Sequence, residues 1–114
     1  MNLSRIIKIH LALNDNINNL TENQIIFIRS FNNLKWEHFN EMIYYYFYEN
    51  DKKVYLYKLD LNSKVFYYSW VNIHRFYKKF TFKTIKQLNR ETKELLSNII
   101  PDIKIHTVII FHER

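Results

Sequence analysis

The chain has 114 residues, a formal net charge of +6, and neither glycine nor cysteine. Without cysteine there are no disulfides, thiolate nucleophiles, iron–sulfur clusters or cysteine-ligated zinc sites. Without glycine, the loops that bring backbone close to a phosphate at positive φ are excluded, and with them P-loop, dinucleotide-fingerprint and kinase-type nucleotide sites.

A hydrophobic fraction of 47% and a charged fraction of 25% describe a folding sequence, and its length suits one domain over residues 1–114 with a core of its own. The opening MNLSRIIKIHLALNDN is broken by Lys8 and His10 and lacks a small-residue cleavage site, so it does not read as a signal peptide. No run is long enough for a membrane span, and a cytoplasmic protein with no membrane partner is expected. The charge is uneven. Residues 1–51 hold four Lys/Arg against six Asp/Glu, and residues 52–114 hold thirteen against five. Such an excess points to an acidic partner for the second half. The wealth of Lys, Asn, Ile, Tyr and Phe is also what A/T-rich codons produce, so part of it need carry no function.

In chain order, Arg5 to Leu13 alternates in polarity and predicts a strand, although Leu3, Ile6, Ile7 and Leu11 also fit a helix face. NDNINN predicts a loop. Thr21 and Gln24 form a capping-box pattern ahead of IIFIRSF, a run that suits a helix or a buried strand over residues 21–32. Trp36, Phe39 and Ile43 have helical spacing. IYYYFYE, VYLYKLD and KVFYYSWVN are β-prone runs separated by ENDK and LNS, and predict an antiparallel meander, with Asn50 or Asp51 supplying any positive φ in the first turn. Alternation sets Tyr44, Tyr46 and Tyr48 against Tyr45 and Phe47, and Val54 and Leu56 against Tyr55 and Tyr57. Phe82 to Ile99 predicts a helix with Ile85, Leu88, Thr92, Leu95, Leu96 and Ile99 inward, capped by Thr81 and stopped by Pro101. Ile103 to Phe111 predicts a last strand. The expected class is α+β: an antiparallel sheet of the meander plus first and last strands, packed by one long C-terminal helix and one or two shorter N-terminal helices. A ferredoxin-like βαββαβ order would fit.

Four constellations could carry chemistry. Lys83, Lys86, Arg90 and Lys93 fall on one side of the long helix, away from its apolar stripe. Such a row can track a phosphate backbone, and is also what a solvated helix face requires. WVNIHRFYKKFTFK interleaves Trp70, Phe76, Tyr77 and Phe80 with His74, Arg75, Lys78, Lys79 and Lys83. This is the ring-and-cation mixture that binds single-stranded nucleic acid or anchors a protein interface, and the competing reading is inward packing of the rings. His10 and His106 could face one another if the first and last strands pair, giving a metal-independent ribonuclease or toxin site. His106 and His112 share strand parity but lie too far apart to chelate one ion. Glu37, His38 and Glu41 would share one helical turn, without a second cluster to complete a metal site.

The leading expectation is a non-enzymatic protein that binds nucleic acid, RNA ahead of DNA, or a nucleoprotein complex. The candidate contact residues are Lys52, Lys53, Trp70, His74, Arg75, Tyr77, Lys78, Lys79, Lys83, Lys86, Arg90 and Lys93, with no cofactor or metal. A small A/T-rich chain of this kind suits a phage or mobile-element inhibitor of a host nucleic-acid-guided, CRISPR-type defence. The alternatives are the His10/His106 ribonuclease and a self-associating protein that dimerises through an aromatic sheet face beside Lys52 and Lys53.

Overall fold

A computed structural model describes residues 8–10, 12, 13, 15 and 19–111. The fold is α+β, with four helices and a five-stranded mixed sheet. Residues 8–10, 12, 13 and 15 are helical and form α1. Helix α2 (Glu22–Asn33) follows, then β1 (Lys35–Phe39), β2 (Met42–Glu49), β3 (Lys52–Asp60) and β4 (Val65–Ser69). Two further helices, α3 (Trp70–Phe76) and α4 (Phe82–Ile99), lead into β5 (Lys104–Val108). The strands lie in chain order, β1-β2-β3-β4-β5; the first three pairings are antiparallel and β4 pairs with β5 in parallel.

Local chemistry accounts for most boundaries. Thr21 caps α2 by accepting from the Gln24 backbone, while the Gln24 side chain accepts from the Thr21 backbone N–H, a reciprocal capping box. Thr81 caps α4 by accepting from the Thr84 backbone N–H, without the reciprocal bond. In a chain without glycine, Asn and Asp supply most of the turns. Asn50 and Asp51 both take positive φ, of 50° and 63°, and make the two-residue hairpin between β2 and β3. The Asp60 carboxylate accepts from the backbone of Asn62 and Ser63, closing the β3–β4 turn. Burial alone would raise that carboxyl, but the Ser63 and Asn62 donors and Lys58 hold it below its usual value.

All four helices contribute to one buried cluster on one face of the sheet. Two cross-strand rows form its floor: Ile43–Leu59–Phe66 continued by Ile105, and Tyr45–Tyr57–Tyr68. Helix α2 lays Phe27 against Tyr57 and Phe31 against Tyr45, with centroids 5.8 and 4.2 Å apart. Helix α4 contributes Ile85, Leu88, Leu95 and Leu96. The buried phenols are partnered. Tyr57 and Tyr77 share a hydrogen bond between hydroxyls at 3.1 Å, and Tyr68 donates to the Asn89 carbonyl. Burial, reinforced by Tyr77, pushes the Tyr57 hydroxyl well above its ordinary range.

Several expectations are corrected. The described part of Arg5–Leu13 is helical rather than extended, with Ile9 and Leu13 buried and Lys8 exposed, a pattern that both periods allow. Residues 5–7 and 11, with Leu3, lie outside the described residues, as does His112. Trp36 and Phe39 stand in β1 rather than a helix, and Asn40 takes positive φ where the chain turns into β2. The run KVFYYSWVN divides at Ser69, with Trp70 opening α3. The element order ααββββααβ, with strands in sequential order, differs from a βαββαβ arrangement. Strict alternation also fails once. Tyr45 pairs with Tyr57 but Tyr46 pairs with Tyr55, so β3 carries an extra residue and both Leu56 and Tyr57 turn into the core.

Candidate nucleic-acid interface

The residues singled out from sequence separate into two surfaces and a buried remainder. The first surface is the outer side of the sheet, opposite the helices. Strand parity places Tyr44, Tyr46, Tyr48, Tyr55 and Tyr67 there, with Glu37, Lys53, Lys58 and His106. These groups engage one another. Tyr55 packs on both Tyr44 and Tyr46, and Tyr46 also meets Tyr48. Tyr46 is thereby only 8% exposed although it lies on the face opposite the described helices. Lys53 lies over the Tyr46 ring and pairs with Glu37 at 2.8 Å, and Glu37 also accepts from the Tyr55 hydroxyl. Lys35 sits over Tyr48, and Lys58 over both Tyr67 and Phe111. Beside this surface, a cleft of about 580 Å³ gathers Lys52, Lys53 and Arg75 with Tyr55 and Asn72. Arg75 is ion-paired with Glu49 there.

The second surface is the corner where α3 gives way to α4. Trp70 is the first residue of α3, His74 lies one turn on, and Phe82 opens α4. The three rings meet, with centroids 4.9 Å apart for Trp70–Phe82, 5.3 Å for Trp70–His74 and 6.0 Å for His74–Phe82, the last pair stacked. The connecting segment is held from below by Tyr77, 7% exposed, whose ring stacks on Phe80. Phe82 itself is 58% exposed. Lys83, Lys86, Arg90 and Lys93 are all exposed on α4, and among the described residues none is in an ion pair.

Two concavities meet at this corner. One, about 420 Å³, is lined by Trp70, Phe82, Lys86, Asn89 and Thr107–Ile109. A smaller groove of about 260 Å³ is lined by Lys83, Lys86, Gln87 and Arg90, so Lys86 belongs to both. Asn89 is 9% exposed, and its Oδ1 has no hydrogen-bond partner among the described residues. Buried amide oxygens are rarely left so, since an unmet acceptor costs about 1–3 kcal/mol.

Of the twelve predicted contact residues, Trp70, His74, Lys83, Lys86 and Arg90 converge on the corner, with Lys93 further along the same helix. Lys52, Lys53 and Arg75 gather in the other cleft. Lys78 and Lys79 are exposed in the α3–α4 turn. Tyr77 is corrected to a core residue: a ring hydrogen-bonded to Tyr57 and stacked on Phe80 has no free face for a ligand. Phe82 and Asn89 were missed. Asn89 had a legible signal, since it follows Ile85 by four residues and precedes Thr92 by three, a polar residue on the apolar stripe.

The two-histidine site is not assembled. His10 projects from α1 into a ring cage of Phe31, Trp36 and Tyr45, its Nε2 3.1 Å from the Tyr45 hydroxyl, at the β1–β2 side of the core. His106 stands on β5 against Tyr67, on the outer face. Burial pushes the His10 imidazole below its ordinary pKa. Glu37 and His38 are neighbours in a strand and point to opposite faces, and no group of acids and histidines among the described residues could hold a metal ion. No described helix is long and apolar enough to cross a membrane. No family model, curated protein or solved structure matches the chain, and no relative supplies a function for the corner.

Proposed function

We propose that the protein is a non-enzymatic binding protein that holds nucleic acid, free or within a nucleoprotein complex, at the α3–α4 corner. The observation that carries this reading is the meeting of a ring cluster, in which Phe82 is exposed and Trp70 and His74 are half-buried, with cations that form no ion pair among the described residues. Trp70, His74 and Phe82 form one ring cluster, and Lys83, Lys86 and Arg90 line the groove beside it. Rings that stack bases beside cations that neutralise phosphates are the two components of single-strand binding. A phage or mobile-element product that occupies a host nucleic-acid-guided defence complex, of the CRISPR type, is a setting that suits the A/T-rich composition.

The test is titration of the purified protein into fluorescein-labelled single-stranded RNA and DNA and their duplexes, at about 50 mM and about 200 mM salt. The expected result is binding at low salt, tighter for single strands, that weakens steeply as salt rises. Absence of binding to every one of these probes at low salt would overturn the proposal.

A further inference from the structure

We infer that the cleft between Trp70, Phe82 and Asn89 is a pocket for a single unpaired nucleobase, with the Lys83–Lys86–Arg90 groove taking the adjoining phosphates. The inference rests on the corner being a nucleic-acid surface, and it adds what the cleft recognises. Three observations meet there. The walls are rings and aliphatic chain: Trp70 and Phe82 line the cleft with Val108 and Ile109, which suits a flat heterocycle. Helix α4 brings Lys86 to the rim, where the cleft opens into the groove shared with Lys83 and Arg90, so a ring inside the cleft would have its phosphate among cations. Third, Asn89 lines the cleft, and its Oδ1, enclosed and closed to solvent, has no donor among the described residues.

The third observation separates a base from other planar groups. An Asn side chain offers an acceptor and a donor side by side, and a nucleobase edge offers the complementary pair, as in Asn contacts to adenine N6 and N7. A phenyl or indole ring would fill the apolar walls and leave the Asn89 oxygen unmet. A base supplies the missing N–H once the Asn89 amide turns its enclosed oxygen toward the cleft, and the acceptor that is costly in the free protein becomes a contact in the bound one. The rest of the helix supports this placement. Thr92 satisfies itself by donating to the Leu88 carbonyl, and Glu91 accepts from Asn23 at 2.6 Å, so within the buried polar group on α4 it is Asn89 whose side-chain acceptor is unmet among the described residues.

The sequence provides its own reporter. Trp36 and Trp70 are the two tryptophans, and Trp36 lies on β1, at the far edge of the sheet. A Trp36→Phe protein therefore reports on Trp70 alone. It is titrated with oligoadenylate as RNA and as DNA, and with an abasic sugar–phosphate strand of the same length. The expected result is quenching of Trp70 emission by both oligoadenylates, weaker binding without quenching for the abasic strand, and a roughly tenfold loss of oligoadenylate affinity in Phe82→Ala. Asn89→Leu should also bind several-fold more weakly, with a melting temperature equal to or above the parent's, because it removes an unmet acceptor. That pairing of better folding with poorer binding is not what a structural role would give. RNA and DNA arms that differ identify which strand the pocket prefers. If the abasic strand binds as tightly as oligoadenylate, or Trp70 emission is unmoved at saturation, the base pocket is wrong while the nucleic-acid reading stands. If no strand binds at low salt, both are wrong.

Discussion

The outer face of the sheet and the α3–α4 corner are built from the same materials, rings that meet one another and cations beside them, and leave the cations in different states. On the sheet, Lys53 has Glu37 and the Tyr46 ring, Lys35 has Tyr48, and Lys58 has Tyr67. The tyrosines there cover one another. At the corner, Lys83, Lys86 and Arg90 form no ion pair among the described residues, Phe82 is largely exposed, and the Asn89 oxygen is unmet. The phenol hydroxyl explains part of the contrast: it lets a sheet face stay near water while its rings pack sideways. Richness in rings and cations therefore does not identify a binding surface. What distinguishes one is how few of its groups already have partners.

The largest effect that would break the comparison concerns the two parities of the tyrosine strands. Tyr57→Ala removes a fully buried ring and should cost about 3–5 kcal/mol in chemical denaturation, as large-to-small aromatic changes in a core do. Tyr48→Ala, at a position 51% exposed, should change stability by less than about 0.5 kcal/mol. Equal costs would mean that the outer rings are as much a core as the inner ones.

A smaller effect tests the third ring cluster, around His10. Its imidazole is held below the ordinary value of 6.5, so the unfolded chain takes up a proton first as pH falls. This contribution to stability is intact above pH 6.5 and is lost as pH falls from there toward the lower folded value. Denaturation midpoints should therefore fall on acidification through this window, and His10→Gln should flatten the decline. A decline as steep in His10→Gln would place the sensitive group elsewhere. The smallest change lies outside both surfaces. Lys64 turns the chain at φ 58°, where a side chain is disfavoured, so Lys64→Gly should raise stability by about 1 kcal/mol and leave nucleic-acid binding untouched.

Much of the fold was legible because local chemistry and burial agree. The capping residues Thr21 and Thr81, the α4 stripe and the Asn50–Asp51 turn each follow from side-chain chemistry within a few residues. The failures share a cause. Residues 5–13 satisfy both a strand and a helix pattern, and periodicity alone does not separate the two. The β3 bulge adds a residue that alternation cannot anticipate. For the site, the α4 cations were readable from helical spacing, and Asn89 could have been found as a polar break in the stripe. That Trp70 and His74 meet Phe82 was not readable, since it depends on α3 starting at Trp70 and on how the chain turns between the two helices.

The most direct measurement pits the two surfaces against each other with matched charge removal. Lys83→Gln, Lys86→Gln and Arg90→Gln are combined in one protein, and Lys35→Gln, Lys53→Gln and Lys58→Gln in another. Single-stranded oligonucleotide affinity is then followed across a salt series. Losing three phosphate contacts should reduce the slope of log K against log salt by about 2 in the corner variant, with a large loss of affinity at low salt. The sheet variant should keep the parent slope, because its cations are already held by Glu37 and the tyrosine rings. An unchanged slope in the corner variant, or an equal reduction in both, would contradict the assignment of the corner as the nucleic-acid interface.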